Sequence, residues 1–329
     1  MKKIAVVILN WNGKTLLKEF LPSVVLYSQE AYIYLADNSS TDDSIAFVKE
    51  NFPEVIIIQN KENYGYAAGY NHALKEVKEP YLCLLNSDVE VTENWLNPII
   101  NLFDKEPNTA IIQPKILAYK QKNSFEYAGA GGGFIDAFGF PYCRGRIFET
   151  LEKDNAQYND IQTIFWASGA CFFIRKNVFE ELNGFDEDFF AHQEEIDLCW
   201  RAYNLNYEAK YCGLSTVYHL GGGTLAYNNP KKIYLNFRNS LWMLVKNLPK
   251  NKLYSTLFLR LCLDGLAVVF FLTKFNFKGI FSILKAHFFL YLHFSKFYKK
   301  REKHQKQNYY HKKSIVWEYY IKKNKIFKD

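Results

Sequence analysis

The sequence predicts an α/β fold, with a mostly parallel central sheet, helices on both faces and a C-terminal helical appendage. Over the first 115 residues, short β-rich runs alternate with stretches of helical spacing, which is typical of βαβ units. The β-rich runs are continuously apolar, as expected for parallel strands buried on both faces. The 329 residues are 49% hydrophobic and 23% charged, which excludes the disordered and fibrous classes.

The elements of this first part follow in order along the chain. Ser39 to Thr41, ahead of two aspartates, are suited to begin the second helix because hydroxyls cap its first turn. The predicted strands are 4–9, 32–36, 55–58, 81–85 and 110–113, and the helices between them are 14–27, 42–51, 67–77 and 94–104.

The remainder is less regular. Residues 115–161 are rich in Gly, Tyr and Phe and predict loops and short strands. Beyond them we expect one strand at 163–175, helices at 177–182 and 194–203, a Gly-rich turn at 219–224, and helices at 234–246 and 254–273.

The distribution of charge and the cysteine content exclude some classes of protein and favour a particular cellular compartment. The net charge is +7, but residues 296–329 alone carry twelve Lys and Arg against three acidic residues. The remainder is close to neutral, which argues against a nucleic-acid-binding face. The six cysteines form no C-x-x-C pair and predict buried thiols in a reducing compartment. The apolar run 4–9 is too short for an export signal, so we expect a cytoplasmic location.

Two apolar stretches near the C-terminus are candidates for membrane contact. The first, 256–273, contains Arg260 and Asp264, which are spaced to pair on one helix face. The second, 275–297, is aromatic and runs into the basic tail. We expect an amphipathic pair lying on an anionic membrane surface. The alternatives are helices packed on the catalytic domain or on a partner subunit, with a solvated tail, and a helix that spans the bilayer.

Polar residues follow four successive predicted strands. They begin at Asn10, Asp37, Asn63 and Asn86, at the strand ends where open parallel sheets bind ligands. The alternative for each of these polar groups, considered alone, is that its residues form a turn or cap a helix. No G-x-G-x-x-G or G-x-x-x-x-G-K-[ST] motif occurs, which argues against dinucleotide and P-loop sites. Asp88 ends a buried strand and needs a partner or a cation, so we predict a magnesium-type site for a nucleoside diphosphate.

Six motifs in order resemble glycosyltransferase family 2, of the GT-A fold, in its rhamnosyltransferase-like subgroup. The match covers residues 3–245. It implies a transferase domain at 1–245, with a nucleotide-binding half (1–115) and an acceptor half (116–245), before an aromatic, basic, membrane-associated region at 246–329. The motifs are VVILNWNG (6–13), DNSSTD (37–42), NYGYAAGYN (63–71), LLNSD (84–88), SGA (168–170) and EEIDLCWR (194–201).

The resemblance also implies residue roles. Asp37 would accept the imide N–H of the uracil or thymine base. Asn86 stands at the first acidic position of the family's D-x-D motif, which leaves Asp88 as the main carboxylate on Mn²⁺ or Mg²⁺. His219 matches a position that supplies an imidazole ligand. The nucleotide-sugar-binding set is Asn10, Asn12, Asp37, Asn63, Gly65, Gly69, Asn86 and Asp88.

Three acids open the helix at 194–203. Glu195 stands at the family's catalytic aspartate, and a carboxylate there would take the proton of the acceptor hydroxyl. Glu194 is either a base or a residue that orients the helix, and Asp197 is either a base or the ion-pair partner of Arg201. Favourable interaction with the helix dipole is the alternative for all three acids. The acceptor site would include Ser168, Gly169 and Trp166, whose ring either stacks on a sugar or packs in the core.

The resemblance implies an inverting, metal-dependent transferase. It would move a sugar, with rhamnose among the candidates, from a UDP- or dTDP-sugar to a glycan or lipid-linked acceptor. We expect this in cell-surface polysaccharide synthesis at the inner face of the membrane. A sugar-phosphate nucleotidyltransferase would need a Gly-rich, basic loop after strand one, where only Lys14 is found. An inactive, membrane-docked scaffold or sugar-binding subunit is the other alternative.

Overall fold

The computed structural model describes residues 2–221 and 229–328, which form two sheets. Residues 222–224 of the predicted Gly-rich turn lie outside the described residues. The strands of the large central sheet are β1 (Ile4–Asn10), β2 (Ala31–Asp37), β3 (Ile56–Gln59), β4 (Tyr81–Asn86), β5 (Val89–Val91), β6 (Thr109–Ala118), β7 (Gln121–Phe125), β12 (Ile161–Ile164), β13 (Cys171–Arg175) and β14 (Glu208–His219). Those of the small sheet are β8 (Gly133–Ile135), β9 (Pro141–Cys143), β10 (Arg146–Ile147) and β11 (Thr150–Leu151).

The central sheet has the order β12-β14-β6-β13-β4-β1-β2-β3. Strands β3, β2, β1 and β4 are mutually parallel, and so are β6 and β14. The antiparallel strand β13 joins the two parallel groups by pairing with β4 and β6. The carboxyl ends of β1, β2, β4, β6 and β14 therefore point to one edge, where β13 begins.

Two strand predictions were wrong. The run predicted as one strand at 163–175 is two strands, β12 and β13, because the chain between them turns where Ser168 Oγ accepts a hydrogen bond from the Ala170 N–H. Strand β14 was not predicted. Its register shifts between Cys212 and Thr216, and this bulge interrupts the alternation of buried and exposed residues that marks a regular strand.

The helices cover both faces of the sheet. Side chains of α1, α2 and α4 pack in the core on one face, and those of α3, α5, α6 and α7 pack on the other. In β1, Val6 faces the first core and Val7 the second, which explains the continuous apolar run. The helices are α1 (Lys14–Tyr27), α2 (Ser44–Asn51), α3 (Gly65–Ala73), α4 (Asn97–Lys105), α5 (Lys176–Glu181), α6 (Glu194–Asn204), α7 (Pro230–Asn247), α8 (Leu253–Thr273) and α9 (Phe277–Lys299).

The last helices and the tail pack on the catalytic part of the chain. Arg260 and Asp264 of α8 pair as predicted, at 2.9 Å, and Arg260 also donates to Ser240 Oγ. Lys300 bonds Asp186 and Asp188, and Arg301 donates to the backbone oxygens of Val245 and Leu248. These two basic side chains therefore bind other parts of the protein. The basic tail is thus not wholly available to bind lipid. Further along the tail, Tyr309, Ile315 and Phe327 are buried.

The outer faces of α8 and α9 are apolar and exposed. Within the described residues, α8 is the one helix long and apolar enough to cross a membrane, although its charged pair is buried against the domain. The large apolar side chains exposed on these helices are Tyr254, Phe258, Leu259, Leu266, Val269, Phe270, Leu272, Phe277, Phe281, Leu284, Phe288, Tyr291 and Leu292. We call this set the α8–α9 apolar face.

Candidate active site

The predicted site residues gather at the carboxyl edge of the central sheet. Asn10 pairs with Asp37 in the strand register, and Leu9 pairs with Asn86. The Asn86 N–H donates to the carbonyl of Ala170, which brings the turn before β13 to the same edge. His219 is the last residue of β14. Two surface hollows, one beside Asn204 and one beside Glu19, are lined by other residues.

Asp37 ties two strand-end loops together. Its side chain is fully buried. Oδ1 accepts from Asn10 Nδ2 at 3.0 Å and from Ser40 Oγ at 2.6 Å, and Oδ2 accepts from the Ser40 N–H at 2.9 Å. Asn10 Oδ1 is buried without a hydrogen-bond partner among the described residues. A carboxylate and an amide oxygen thus keep some accepting capacity at this edge.

The other nucleotide-site candidates shape neighbouring loops. Asn12 Oδ1 accepts from the backbone N–H of Thr41 at 2.7 Å, which joins the loops after β1 and β2. Asn63 Oδ1 accepts from the Gly65 N–H at 3.0 Å, just where α3 begins. Gly65 has a φ of 76°, which favours glycine. A Cβ on Gly69 would lie 2.8 Å from Asn38 Nδ2, so this position requires close approach of the backbone.

His219 lies between two carboxylates. Its Nε2 is 3.2 Å from Asp88 Oδ1, and its Nδ1 is 3.3 Å from Glu126 Oε2. Burial lowers the pKa of His219, but the two carboxylates outweigh this effect and raise it to about 10. The ring is therefore a cation at neutral pH and balances the negative charge of the cluster.

These residues fit a divalent cation held by two protein ligands. A carboxylate oxygen and an imidazole nitrogen are suitable ligands, and diphosphate oxygens would complete the coordination. Within residues 2–221 and 229–328, no three His, Cys, Asp or Glu side chains are arranged as a complete metal site. Cation binding at His219 Nε2 would displace a proton, because a ligating imidazole nitrogen must be deprotonated.

The loop before α6 is strained. Phe190, His192 and Gln193 have left-handed backbone conformations, with φ of 64°, 72° and 73°. Such conformations cost roughly 1–3 kcal/mol each and concentrate at functional sites. Asn239 Nδ2 holds this loop by donating to the carbonyl oxygens of Phe189, Ala191 and His192 at 3.0, 2.9 and 2.7 Å. Arg238 donates to the carbonyl oxygen of Phe189.

Glu194, which is buried, and Glu195, which is half-buried, are adjacent at the end of this loop. In each, Oε2 has no hydrogen-bond partner among the described residues. Burial raises the pKa of Glu194 well above its ordinary value, and the charge of Glu195 raises it further. Burial also raises the pKa of Glu195, to about 7, against backbone hydrogen bonds that lower it. A carboxylate with this pKa is suited to accept a proton near neutral pH.

Glu195 lies beside the turn that leads into β13. A Cβ on Gly169 would lie 4.0 Å from Glu195 Cδ and 2.9 Å from Tyr66 Oη. Tyr66 donates to the carbonyl of Gly169 at 2.9 Å. The acidic pair is therefore joined to Asn86 and Asp88 through the 168–170 turn, at one sheet edge.

Asp197 has the environment of an ion-pair partner, which argues against its role as a base. It is fully buried and accepts from Arg201 Nε, Lys246 Nζ and Asn247 Nδ2, each at 2.8 Å. Burial raises its pKa, but Lys246 and Arg201 lower it below the ordinary value. Of the two sequence-based alternatives, these contacts favour the ion-pair partner.

Two of the three residues predicted for the acceptor site, Trp166 and Ser168, are buried in the core. Trp166 is buried, its Nε1 donates to the carbonyl of Phe134 at 2.8 Å, and a Cβ on Gly133 would lie 2.2 Å from its ring. The ring therefore packs in the core and is not placed to stack on a sugar. Ser168 is also buried, and its N–H donates to Gln113 Oε1. Of the three, Gly169 is the residue that lies beside Glu195.

Sequence reasoning missed three residues at this edge. Tyr66 lies in an ordinary helical pattern, and Glu126 lies in the irregular segment between predicted strands. Asn239 lies in the predicted helix 234–246, outside the six motifs. Its bonds to three carbonyl oxygens provide a chemical role.

The fold and this edge define a GT-A nucleotide-sugar transferase architecture. Residues 5–182 match the family model of glycosyl transferase family 2. The chain belongs to this family and is a glycosyltransferase.

Curated relatives agree with this assignment. The chain is 22% identical over 244 residues to the low-salt glycan biosynthesis hexosyltransferase Agl10 of Haloferax volcanii, which covers 72% of this chain and 73% of the relative. It is 22% identical over 222 residues to the N-acetylglucosaminyl-diphospho-decaprenol L-rhamnosyltransferase of Mycobacterium tuberculosis, covering 62% and 71%. It is 25% identical over 199 residues to the rhamnosyltransferase WbbL of Escherichia coli, covering 54% and 74%. These similarities support the rhamnosyltransferase-like subgroup.

Solved structures share the fold. A crystal structure of GalNAc-T7 with UDP, GalNAc and Mn²⁺ has a TM-score of 0.59 at 16% identity, covering 77% of this chain and 49% of that one. The mannosyltransferase PcManGT of Pyrobaculum calidifontis, in complex with GDP-Man and Mn²⁺, has a TM-score of 0.54 at 11% identity, covering 87% and 86%. The chain thus spans about half the length of GalNAc-T7.

Proposed function

We propose that this glycosyltransferase is inverting and depends on a divalent cation, with a UDP- or dTDP-sugar as donor. The observation that supports this most is the adjacent Glu194 and Glu195, each with a buried Oε2 that has no hydrogen-bond partner among the described residues, at the sheet edge that also carries Asp88 and His219. A base and a leaving-group site at one edge are what a single displacement at an anomeric carbon requires.

Glu195 is the proposed base. As the acceptor hydroxyl attacks the anomeric carbon, its proton passes to the Glu195 carboxylate, and the bond to the nucleoside diphosphate breaks. Glu194 stays protonated in this scheme, because burial and the charge of Glu195 raise its pKa. The pair thus carries one charge, located on the residue nearer Gly169.

Asp88 and His219 would hold the cation, Mn²⁺ or Mg²⁺, which supplies Lewis-acid stabilisation of the diphosphate leaving group. The structurally similar GalNAc-T7 and PcManGT structures were both determined with Mn²⁺. Asp37 and Asn10 would bind the base through their remaining acceptor capacity, while Asn12, Asn63, Gly65 and Gly69 shape the surrounding loops.

The acceptor class is proposed from the relatives. The mycobacterial relative is named for a diphospho-decaprenol substrate, and the Myxococcus xanthus relative RfbC for O-antigen biosynthesis. A glycan or lipid-linked acceptor in cell-surface polysaccharide synthesis, with rhamnose among the candidate sugars, follows from these names. Residues 1–245 would perform the transfer.

The proposed location is cytoplasmic, on the inner face of the membrane, with 246–329 as the membrane-associated region. The α8–α9 apolar face would lie in the lipid interface, with exposed lysines such as Lys278 and Lys285 near anionic headgroups. Because Arg260 and Asp264 are buried against the domain, a surface orientation exposes no charge to the bilayer core.

The catalytic proposal is tested with a panel of UDP-, dTDP- and GDP-sugars. Donor turnover with and without Mn²⁺ is compared for the wild type, Asp88→Ala and Glu195→Gln. Loss in both variants, and loss of wild-type turnover in EDTA, is the expected result. Equal background turnover in all three proteins would favour a non-catalytic scaffold, and base selectivity for GDP would contradict the donor assignment.

The membrane proposal is tested by co-sedimentation with phosphatidylglycerol-containing vesicles. The Phe281→Ser/Phe288→Ser double variant removes two exposed rings and should weaken binding at least tenfold. Leu214→Ser, an equally exposed apolar site on β14, is the matched control and should bind as the wild type does. Unchanged binding of the double variant would exclude this face.

A further inference from the structure

The proposed cation site has a third charged residue, which lies outside the six motifs that resemble the family. Glu126 follows β7, far in sequence from Asp88 and His219, yet its Oε2 lies 3.3 Å from His219 Nδ1. The three side chains are nearly excluded from solvent, with Glu126 exposed by only 5%. A buried carboxylate needs favourable partners, and the His219 imidazole is one of those that Glu126 has here.

Glu126 is held rigidly in this position. Its N–H donates to the carbonyl oxygen of Ile116, and its Oε2 accepts from the Ala128 N–H at 2.5 Å. On the other side, a Cβ on Gly221 would lie 2.9 Å from Glu126 Oε1. The chain therefore passes close to this carboxylate just after His219, where Gly221 has a φ of 67°.

Two features of the site make Glu126 useful. Glu126 Oε2 lies at ion-pair distance from His219 Nδ1, without the geometry of a hydrogen bond. A carboxylate on the Nδ1 side of an imidazole favours the tautomer that leaves Nε2 free for a metal and raises the basicity of the ring. Nε2 is the nitrogen that faces Asp88 here. Glu126 also adds a negative charge beside His219, on the side of the ring opposite to Asp88.

We infer that Glu126 is a positioning residue of the cation site: it orients His219 from the Nδ1 side and adds a negative charge beside the ring. This inference rests on the proposed metal dependence. Glu126 acts through His219 and is not itself a ligand in this arrangement, because Nδ1 and Nε2 lie on different sides of the ring.

A merely structural role for Glu126 makes a different prediction. If its task is to hold the Ala128 N–H, Glu126→Gln should behave as the wild type, because the amide oxygen still accepts that bond. If its task is to support the cation site, Glu126→Gln should lose affinity for the metal, because the charge is gone. Glu126→Asp keeps the charge on a side chain that is one methylene shorter. Its affinity for the metal should therefore lie between those of the wild type and Glu126→Gln.

The experiment measures Mn²⁺ binding by electron paramagnetic resonance in the presence of saturating UDP. We expect about 10–100-fold weaker Mn²⁺ binding for Glu126→Gln, with a melting temperature close to that of the wild type. Glu79→Gln, at a buried glutamate that accepts from Tyr34 Oη, is the matched control and should leave the affinity unchanged.

The outcomes separate this inference from the proposed function. If the wild type binds Mn²⁺, Asp88→Ala does not, and Glu126→Gln binds within twofold of the wild type, the role of Glu126 is overturned while the cation site stands. If the wild type binds no Mn²⁺ with UDP, the proposed metal dependence is wrong and the role of Glu126 is rejected with it. Should Glu126→Gln fail to fold, wild-type affinity in Glu126→Asp would overturn the inference.

Discussion

Asn239 Nδ2 lies 2.7 Å from the carbonyl oxygen of His192, a residue with a left-handed backbone two positions before Glu194. Asn239 is fully buried in α7 and donates to two further carbonyl oxygens of the same loop. A side chain from a later helix thus fixes the strained backbone that presents the acidic pair.

Removal of this amide should slow catalysis more than it weakens donor binding. Asn239→Ala leaves the carbonyl oxygens of Phe189, Ala191 and His192 without these donors, so the loop relaxes and Glu195 moves. We expect kcat for donor turnover to fall about 10–100-fold with KM nearly unchanged, because small misplacements of a reacting group have effects of this size. Ser240→Ala is the neighbouring control. A change confined to KM would contradict a positioning role.

The pH dependence of turnover should report Glu195. Because the base must be ionised and burial raises its pKa to about 7, kcat should rise as the pH increases through about 7 and level off above it. The measurement is a kcat profile from pH 5.5 to 9 at saturating donor. A profile already flat from pH 5.5 would show that a carboxylate of ordinary pKa, or another group, is the base.

Glu194 should reduce stability at alkaline pH. Its pKa in the folded state is raised above the unfolded value, so its contribution to stability is greatest below about pH 4.5 and is lost as the pH rises through the folded pKa. Glu194→Gln mimics the protonated form and should be about 1–3 kcal/mol more stable than the wild type at pH 8.5, with little difference at pH 4.5. Urea unfolding at both pH values checks this. A variant less stable at pH 8.5 would contradict the raised pKa.

Asp197 should prove structural. Asp197→Ala leaves the Arg201 and Lys246 cations without their shared buried partner, and loss of one member of a buried ion pair costs about 3–5 kcal/mol. The free energy of unfolding should fall by this amount. A variant as stable as the wild type but without turnover would restore Asp197 as a candidate base.

Local signals in the sequence predicted much of the fold. Helix α1 has the predicted bounds, Lys14–Tyr27, because its apolar spacing and flanking loops are unambiguous. The edge residues Asn10, Asp37 and Asn86 were also predicted, since strand direction alone places them together. Strand β14 was missed because a bulge breaks its alternation. In β14 the local alternation of buried and exposed residues does not indicate a strand, although the segment pairs with β6 in the sheet.

The sequence predicted those residues of the site that lie within the motifs. Glu195 could be named from its neighbours in sequence, but its raised pKa arises from burial by distant segments, including the 168–170 turn. The roles of Glu126 and Asn239 depend on contacts across more than 45 residues of chain, which no local pattern records. Trp166 was open between stacking and packing, and its burial, its hydrogen bond to Phe134 and its proximity to Gly133 decide for packing.

The central claim is that Asp88 and Glu195 act on one nucleotide sugar at the carboxyl edge of the sheet. A crystal structure of the protein soaked with UDP and Mn²⁺ tests it most directly. We predict Mn²⁺ between Asp88 and His219, the diphosphate on the metal, the base beside Asp37, and the Glu195 carboxylate facing the vacant sugar position. UDP bound at another surface, or Glu195 facing away from the diphosphate, would contradict the account.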